Sequence, residues 1–188
     1  AGWLGVEVEI VTSAVAQGAR KNLPAAQEVE ADAVDQSWRP HPQEPRLLLE
    51  REVLKARLQE PQLFGGDLWS SIEAGAFTHP AYSAMRNAID SADKLSPESI
   101  SDENLRALFT ELSVEPIRAD GKPTETYVAS IVARLREVAI SRSIADLKSS
   151  LQRLNPVENE IEYNAAFAQL VALESARRSL HDLALGSL

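Results

Sequence analysis

The chain has no cysteine at all. That excludes disulfides and every thiolate metal site. Its three histidines, His41, His79 and His181, fall in three separate segments with no ligand spacing between them, so they suggest no metal site either. Glycine-rich phosphate loops, dinucleotide turns and G-x-S-x-G elbows are missing. No apolar run approaches the roughly 20 residues of a membrane span, and no signal-peptide pattern is present. Positive charge is also scarce. A net charge of −9 and a pI near 4.9 argue against non-specific binding to nucleic acid, which requires Lys and Arg to displace counterions, and against an anionic membrane surface. The simplest expectation is a soluble intracellular protein with no catalytic group in this stretch. Asp102 and Glu103 fit a helix first turn, where the macrodipole favours acids, better than an acid–base pair. The excess of Arg over Lys and the many alanines are read as the mark of a GC-rich genome.

What is present is helix. From Thr126 to Leu154 nothing breaks one, Leu154-Asn155-Pro156 marks a turn, and a second unbroken stretch runs from Val157 almost to Leu188. A helix of about 28 residues is roughly 42 Å long, more than one compact core needs. Asn155 is expected as N-cap, with Pro156 at N1 and Glu158 at N3 reaching back to the cap. Ile144, Leu147, Leu151 and Leu154 on the first helix, and Leu173, Ala176, Leu180 and Leu183 on the second, follow 3-4-3 spacing. They predict two seams packed antiparallel, whose first role is to hold the hairpin together.

Upstream, residues 1–20 form a short piece in which Val6 to Val11 is ambiguous between strand and helix. Residues 21–44 hold three prolines, several acids and few large apolar side chains, the composition of a disordered linker. Trp38 is the exception, and it either packs locally or docks on the following domain. The folded part is expected from Pro45. Leu47, Leu48, Leu49, Val53, Leu54 and Leu58 give one helix an apolar stripe ending before Pro61. Gly65-Gly66 is a break, with Leu68, Trp69 and Ile72 buried beyond it. Thr78-His79-Pro80 opens a helix carrying Tyr82, Met85, Ala88 and Ile89. Ser96 and Ser101 are expected N-caps before Leu105, Leu108, Phe109 and Leu112. Asp120 to Pro123 is a turn, after which Thr124 caps the first long helix. The fold class read from these signals is all-α: a bundle of about five short helices (45–125) followed by a long antiparallel hairpin (126–188). A projecting arm without an active site suggests a structure made to be held by a partner.

The stretches "LLLEREVLKARLQEPQLFG" and "GAFTHPAYSAMRNAI" resemble the start of the C-terminal domain of bacterial DNA primase, the DnaG family, in its GC-rich form. "AGWLGVEVEIV" resembles the end of the same family's polymerase domain. The order of polymerase-domain tail, acidic linker, bundle and hairpin follows the family, and with Ala1 rather than Met at the start it is expected of a fragment. The resemblance implies a non-catalytic module that docks the primase on the hexameric replicative DNA helicase and stimulates it at the replication fork, in the cytoplasm. It implies no cofactor here; zinc, and magnesium or manganese, would belong to the parent nucleotidyltransferase. Helicase contacts are expected on the last helix, in "LVALESARRSL", at Arg177, Arg178, His181 and Leu185. Single-stranded-DNA-binding protein (SSB) would be received near Arg46, Leu49 and Leu54. No direct nucleic-acid binding is expected. Two alternatives stay open: the N-terminal domain of the helicase itself or another all-α interaction module, and an all-α enzyme built from scattered acids. Linker order favours primase over the first, and the absence of converging groups disfavours the second.

Overall fold

The computed structural model describes residues 38–92 and 95–186. The expected polymerase-domain tail and the linker as far as residue 37 lie outside the described residues. Five α-helices follow one another: α1 Leu48–Gln59, α2 Pro80–Ser91, α3 Glu103–Val114, α4 Glu125–Leu151 and α5 Glu160–Ala184. No strand occurs among the described residues. The bundle holds α1 to α3, three single 3-10 turns and the first half of α4, rather than five short helices. Ser96-Pro97 begins only one of those turns, closed by a reciprocal Ser96–Ser99 capping pair. Trp38 packs on the bundle core and Pro40 is buried, so ordered packing begins a few residues before Pro45.

Local chemistry explains most helix boundaries. α1 stops at Pro61, and Gly66 at φ 57° provides the left-handed turn that follows. His79 Nδ1 accepts from the Ala81 amide at 3.2 Å, with Pro80 at the first helical position. Asp102, rather than the expected Ser101, caps α3 by accepting from the Leu105 amide at 2.9 Å. An ionised carboxylate is the stronger acceptor there and also meets the positive end of the helix. Thr124 caps α4 through the Tyr127 amide at 3.2 Å. The hairpin turn differs in extent. Asn155 Oδ1 accepts from the Val157 amide at 3.0 Å, yet this closes a single turn, and α5 begins only at Glu160 behind Asn159. The Asn-Pro signal thus fixes the turn, while the helix proper starts beyond it.

The bundle core gathers Val53, Leu54, Ala56, Ile72, Phe77, Tyr82, Met85, Leu108, Leu112, Val128, Val132 and Leu135. Trp69 is partly buried against it, with the Arg86 guanidinium 4.1 Å from its ring centroid and its indole N–H donating to Asp90 at 2.7 Å. The central helix is α1. Its apolar side faces this core, and its charged side is buried as well. Arg51, 2% exposed, donates to Glu111, Glu115 and the Tyr82 hydroxyl. Lys55, 1% exposed, pairs with Glu52 at 2.7 Å and Glu115 at 3.2 Å, and donates to the Pro116 carbonyl. Glu52 accepts from the Arg118 amide and the Tyr127 hydroxyl, and Glu50 from the Thr78 and His79 amides. Each neighbour of α1 is therefore fastened to it by a charge-assisted bond.

Burial alone would lower the Arg51 pKa, but the hydrogen bonds to Glu115, Tyr82 and Glu111 hold it above its ordinary value. Burial would raise the Glu115 carboxyl, and Arg51 with Lys55 instead hold it below the usual carboxylate range. Burial, reinforced by Glu52, raises the Tyr127 hydroxyl. These shifts accompany a structural network, because the groups are satisfied by one another rather than turned toward a cleft.

Candidate functional site

The second half of α4 and all of α5 form an arm. The 27 residues of α4 give it a length of about 40 Å. Val128, Ile131, Val132 and Leu135 belong to the bundle core, while Ala133 packs on α5 together with Leu180 and Ala184, and Ile140 and Leu183 lie against that cluster. The end of α5 thus returns to the root of α4, and the helices run antiparallel. Small Ala133 and Ala184 allow the close approach there. Ile144 is buried as expected, and Leu147, Leu151, Leu154 and Leu173 are half-buried. Ala176 is exposed, which corrects the expected second seam. The residues of α5 turned toward α4 include Leu170, Leu173, Glu174, Arg177, Leu180, Leu183 and Ala184.

Ion pairs cross the arm. Lys148 Nζ lies 2.9 Å from Glu174, Arg177 Nε 3.2 Å from Glu174, and Arg177 Nη1 3.9 Å from Glu137. His181 Nδ1 is 3.1 Å from Glu137. Lys148, then Arg177, hold the Glu174 carboxyl below its ordinary range. Partly exposed pairs of this kind contribute little energy singly, but they set register.

The four residues expected to meet a partner do share one helix, yet they are not equivalent. Arg177 points into the hairpin and is engaged there. Arg178 is exposed and makes no ion pair or hydrogen bond among the described residues. His181 is half exposed beside Glu137, and Leu185 is 62% exposed at the C-cap. Four further apolar side chains stand out on the arm: Val157 and Ile161 near its tip, and Phe167 and Val171 along α5. Sequence reading passed over them because it looked for the seam. The overlooked signal was large apolar residues that fall off the seam spacing.

Among the described residues the bundle carries a cavity of about 540 Å³ lined by Pro45, Arg46, Leu49, Glu50, Thr78, Leu135, Val138 and Arg142. Arg46 and Leu49 are therefore accessible at one place. Leu54, expected with them, is fully buried in the core and can touch no partner, because it sits on the inward side of α1. No group of three or more His, Asp or Glu among the described residues is arranged to hold a metal ion. Among the same residues no helix is long and apolar enough to cross a membrane.

Comparison with known proteins places this architecture. Residues 50–166 match the family model described as DNA primase DnaG DnaB-binding. The chain belongs to this DnaG family. Its relatives include the DNA primases of Mycobacterium tuberculosis, 41% identical over 79% of this chain and 25% of that protein, and of Mycobacterium leprae, 33% identical over 99% of this chain and 33% of that protein. A third, from Streptomyces coelicolor, is 30% identical over 73% of this chain and 24% of that protein. The chain spans about a quarter of the length of most of these relatives. Among solved structures it resembles the helicase binding domain of primase from Mycobacterium tuberculosis, with 41% identity, a TM-score of 0.59, and coverage of 74% of this chain and 94% of that one. The alternative of a helicase's own N-terminal domain falls with this match. The DnaG match spans α1 to α4 and the first turns of α5, whereas Arg177, Arg178, His181 and Leu185 lie beyond it.

Proposed function

We propose that this chain is the helicase-docking module of a bacterial DNA primase, and that the arm is the part the helicase holds. In this reading the module fixes the primase to the N-terminal region of the hexameric replicative helicase in the cytoplasm, stimulates that helicase, and so sets primer synthesis at the fork. Family membership supports the partner. The observation that carries the arm is the contrast in closure. The described bundle core draws on no residue of α5, and of the large apolar side chains more than half exposed among the described residues only Val114 lies in the bundle, whereas Val157, Ile161, Phe167, Val171 and Leu185 lie on the arm. Exposed apolar groups gathered on one part of a molecule mark an interaction surface. Zinc and the metals of nucleotidyl transfer would belong to the rest of the primase, since the described residues do not fit them.

The test is a chain ending at Leu154. Circular dichroism should show a folded helical bundle, and pull-down or calorimetry against the helicase N-terminal region should show binding lost or greatly weakened. Full binding by the shortened chain would overturn the assignment of the arm.

A second contact, with SSB, is favoured by the 540 Å³ cavity, where Arg46 and Arg142 bring positive charge to an apolar floor of Leu49, Leu135 and Val138. Arg46→Glu should weaken capture of SSB while leaving helicase binding intact. Unchanged capture would remove this reading.

A further inference from the structure

A recess of about 200 Å³ lies where α1 and α2 end beside α3. Leu58, Ile89, Ala92, Leu95 and Phe109 give it apolar walls, and Arg57 is its charged member. It shares no lining residue with the 540 Å³ cavity, and none comes from the arm. Arg57 is half-buried, with its guanidinium carbon 5.7 Å from the Phe64 ring centroid and 5.3 Å from that of Trp69. Nη1 donates to the Pro61 carbonyl at 3.4 Å, Nε is buried without a partner, and Nη2 is neither buried nor bonded among the described residues. No carboxylate pairs with Arg57 among those residues. Trp69 also carries Arg86, whose one carboxylate among the described residues, Asp90 at 3.3 Å, accepts the indole N–H at 2.7 Å as well. Burial lowers the Arg86 pKa, and Arg57 lowers it further against the pull of Asp90. Two guanidiniums therefore share one ring and one exposed carboxylate, in a chain whose net charge is −9.

We propose that this recess receives a short acidic segment of a second protein. One large apolar side chain enters between Leu58, Ile89, Leu95 and Phe109, and a neighbouring carboxylate meets Arg57 Nη2. Size fixes the form of the occupant. At about 200 Å³ the recess falls below the roughly 300–1,000 Å³ of small-molecule sites, so it takes a single side chain rather than a whole ligand or a helix. Charge fixes its sign. A carboxylate arriving here meets a local positive excess, and its bond to a guanidinium is charge-assisted. The chain as a whole is acidic and repels such a segment, so the attraction has to come from the site itself. Arg57 is already held by two rings, and little side-chain freedom is lost when the partner arrives. Because no arm residue lines the recess, the inference stands independently of the helicase-docking reading.

The experiment follows the fluorescence anisotropy of a labelled, C-terminally amidated peptide, Gly-Asp-Asp-Phe-Asp-Gly, titrated with the whole 188-residue chain. Melting and sedimentation are followed in parallel. The parent should bind, and Arg57→Met, which keeps the packing on the rings and removes the charge, should weaken binding by about tenfold or more, as loss of a hydrogen bond to a charged group does. Leu95→Glu should bind worse still. A peptide with Asn for each Asp, or Ala for Phe, should lose affinity for the parent to a similar degree. Arg46→Met, in the 540 Å³ cavity, should bind as the parent does. If Arg57→Met lowers melting, Leu95→Glu and the Asn peptide carry the comparison. Absence of binding by the parent, or binding that survives both Arg57→Met and Leu95→Glu, would overturn the proposal. Loss with Arg46→Met alone would overturn it by placing the peptide in the larger cavity. Tighter binding once Glu28, Glu30, Asp32 and Asp35 are replaced by their amides would give the recess to the chain's own upstream acids instead. A parent dimer that Leu95→Glu dissociates would give it to a second copy.

Discussion

The two ends of α4 lie in regions that treat charge in opposite ways. In the bundle, α1 buries Arg51 and Lys55 at 2% and 1% exposure and surrounds them with acceptors from α3, the loop after it and α2. In the arm, Lys148, Arg177 and Glu174 stay partly exposed, and the only fully closed apolar contacts on α5 are at Leu180 and Ala184. The lesson is a division of labour. A helix whose neighbours are each tied to it by buried, directional bonds fixes one arrangement of the bundle. A helix held along one seam by small residues and wet ion pairs leaves its other faces available. The first is a platform and the second a handle.

Breaking the platform should have the largest effect. Arg51→Ala removes a buried cation and leaves Glu111 short of a partner, which for a buried pair costs about 3–5 kcal/mol. Glu111 and Glu115 keep some contact with water, so the loss belongs near 3 kcal/mol, read by chemical denaturation. Trimming the arm should cost less. Leu180→Ala opens the root cluster with Ala133 and Ala184 and should cost about 2 kcal/mol, the low end for a Leu-to-Ala change, since the site can partly collapse. It should also separate the two regions, with amide exchange accelerating along α5 while α1 and α3 stay protected.

The smallest effect is in pH. The Glu115 carboxyl is held below its ordinary 4.5 in the folded state. Its contribution is therefore present above about pH 4.5 and is lost as pH falls through the lower folded-state value. Below pH 4.5 the bundle should lose stability, and Glu115→Gln should flatten that part of the curve. An unchanged acid limb in the Gln variant would place the acid sensitivity elsewhere.

Much of this was legible in sequence, and the misses share a cause. Helix positions came from caps and prolines, at His79-Pro80 and Thr124, because those signals act within a few residues. The hairpin came from two long unbroken stretches and one Asn-Pro turn. The polar side of α1 was invisible. Arg51 and Lys55 look like part of any solvated face until α3 and the loop after it deliver Glu111 and Glu115 some sixty residues later. Leu54 failed as a contact residue for the same reason, since which side of α1 is covered depends on partners distant in the chain. At the candidate site, the right helix was identified but not the right face. The 3-4-3 reading was right at Leu173, Leu180 and Leu183 but placed exposed Ala176 on the seam where Arg177 turns inward, and it left Phe167 and Val171 unnoticed.

The claim that the arm is the handle and the bundle the platform is tested most directly by hydrogen exchange on the chain with and without the helicase N-terminal region. The account predicts new protection confined to α5, strongest from Phe167 to Leu185, with α1 and α3 exchanging as in the free protein. Protection that appears instead around Arg46 and Leu49, with α5 unaffected, would contradict it.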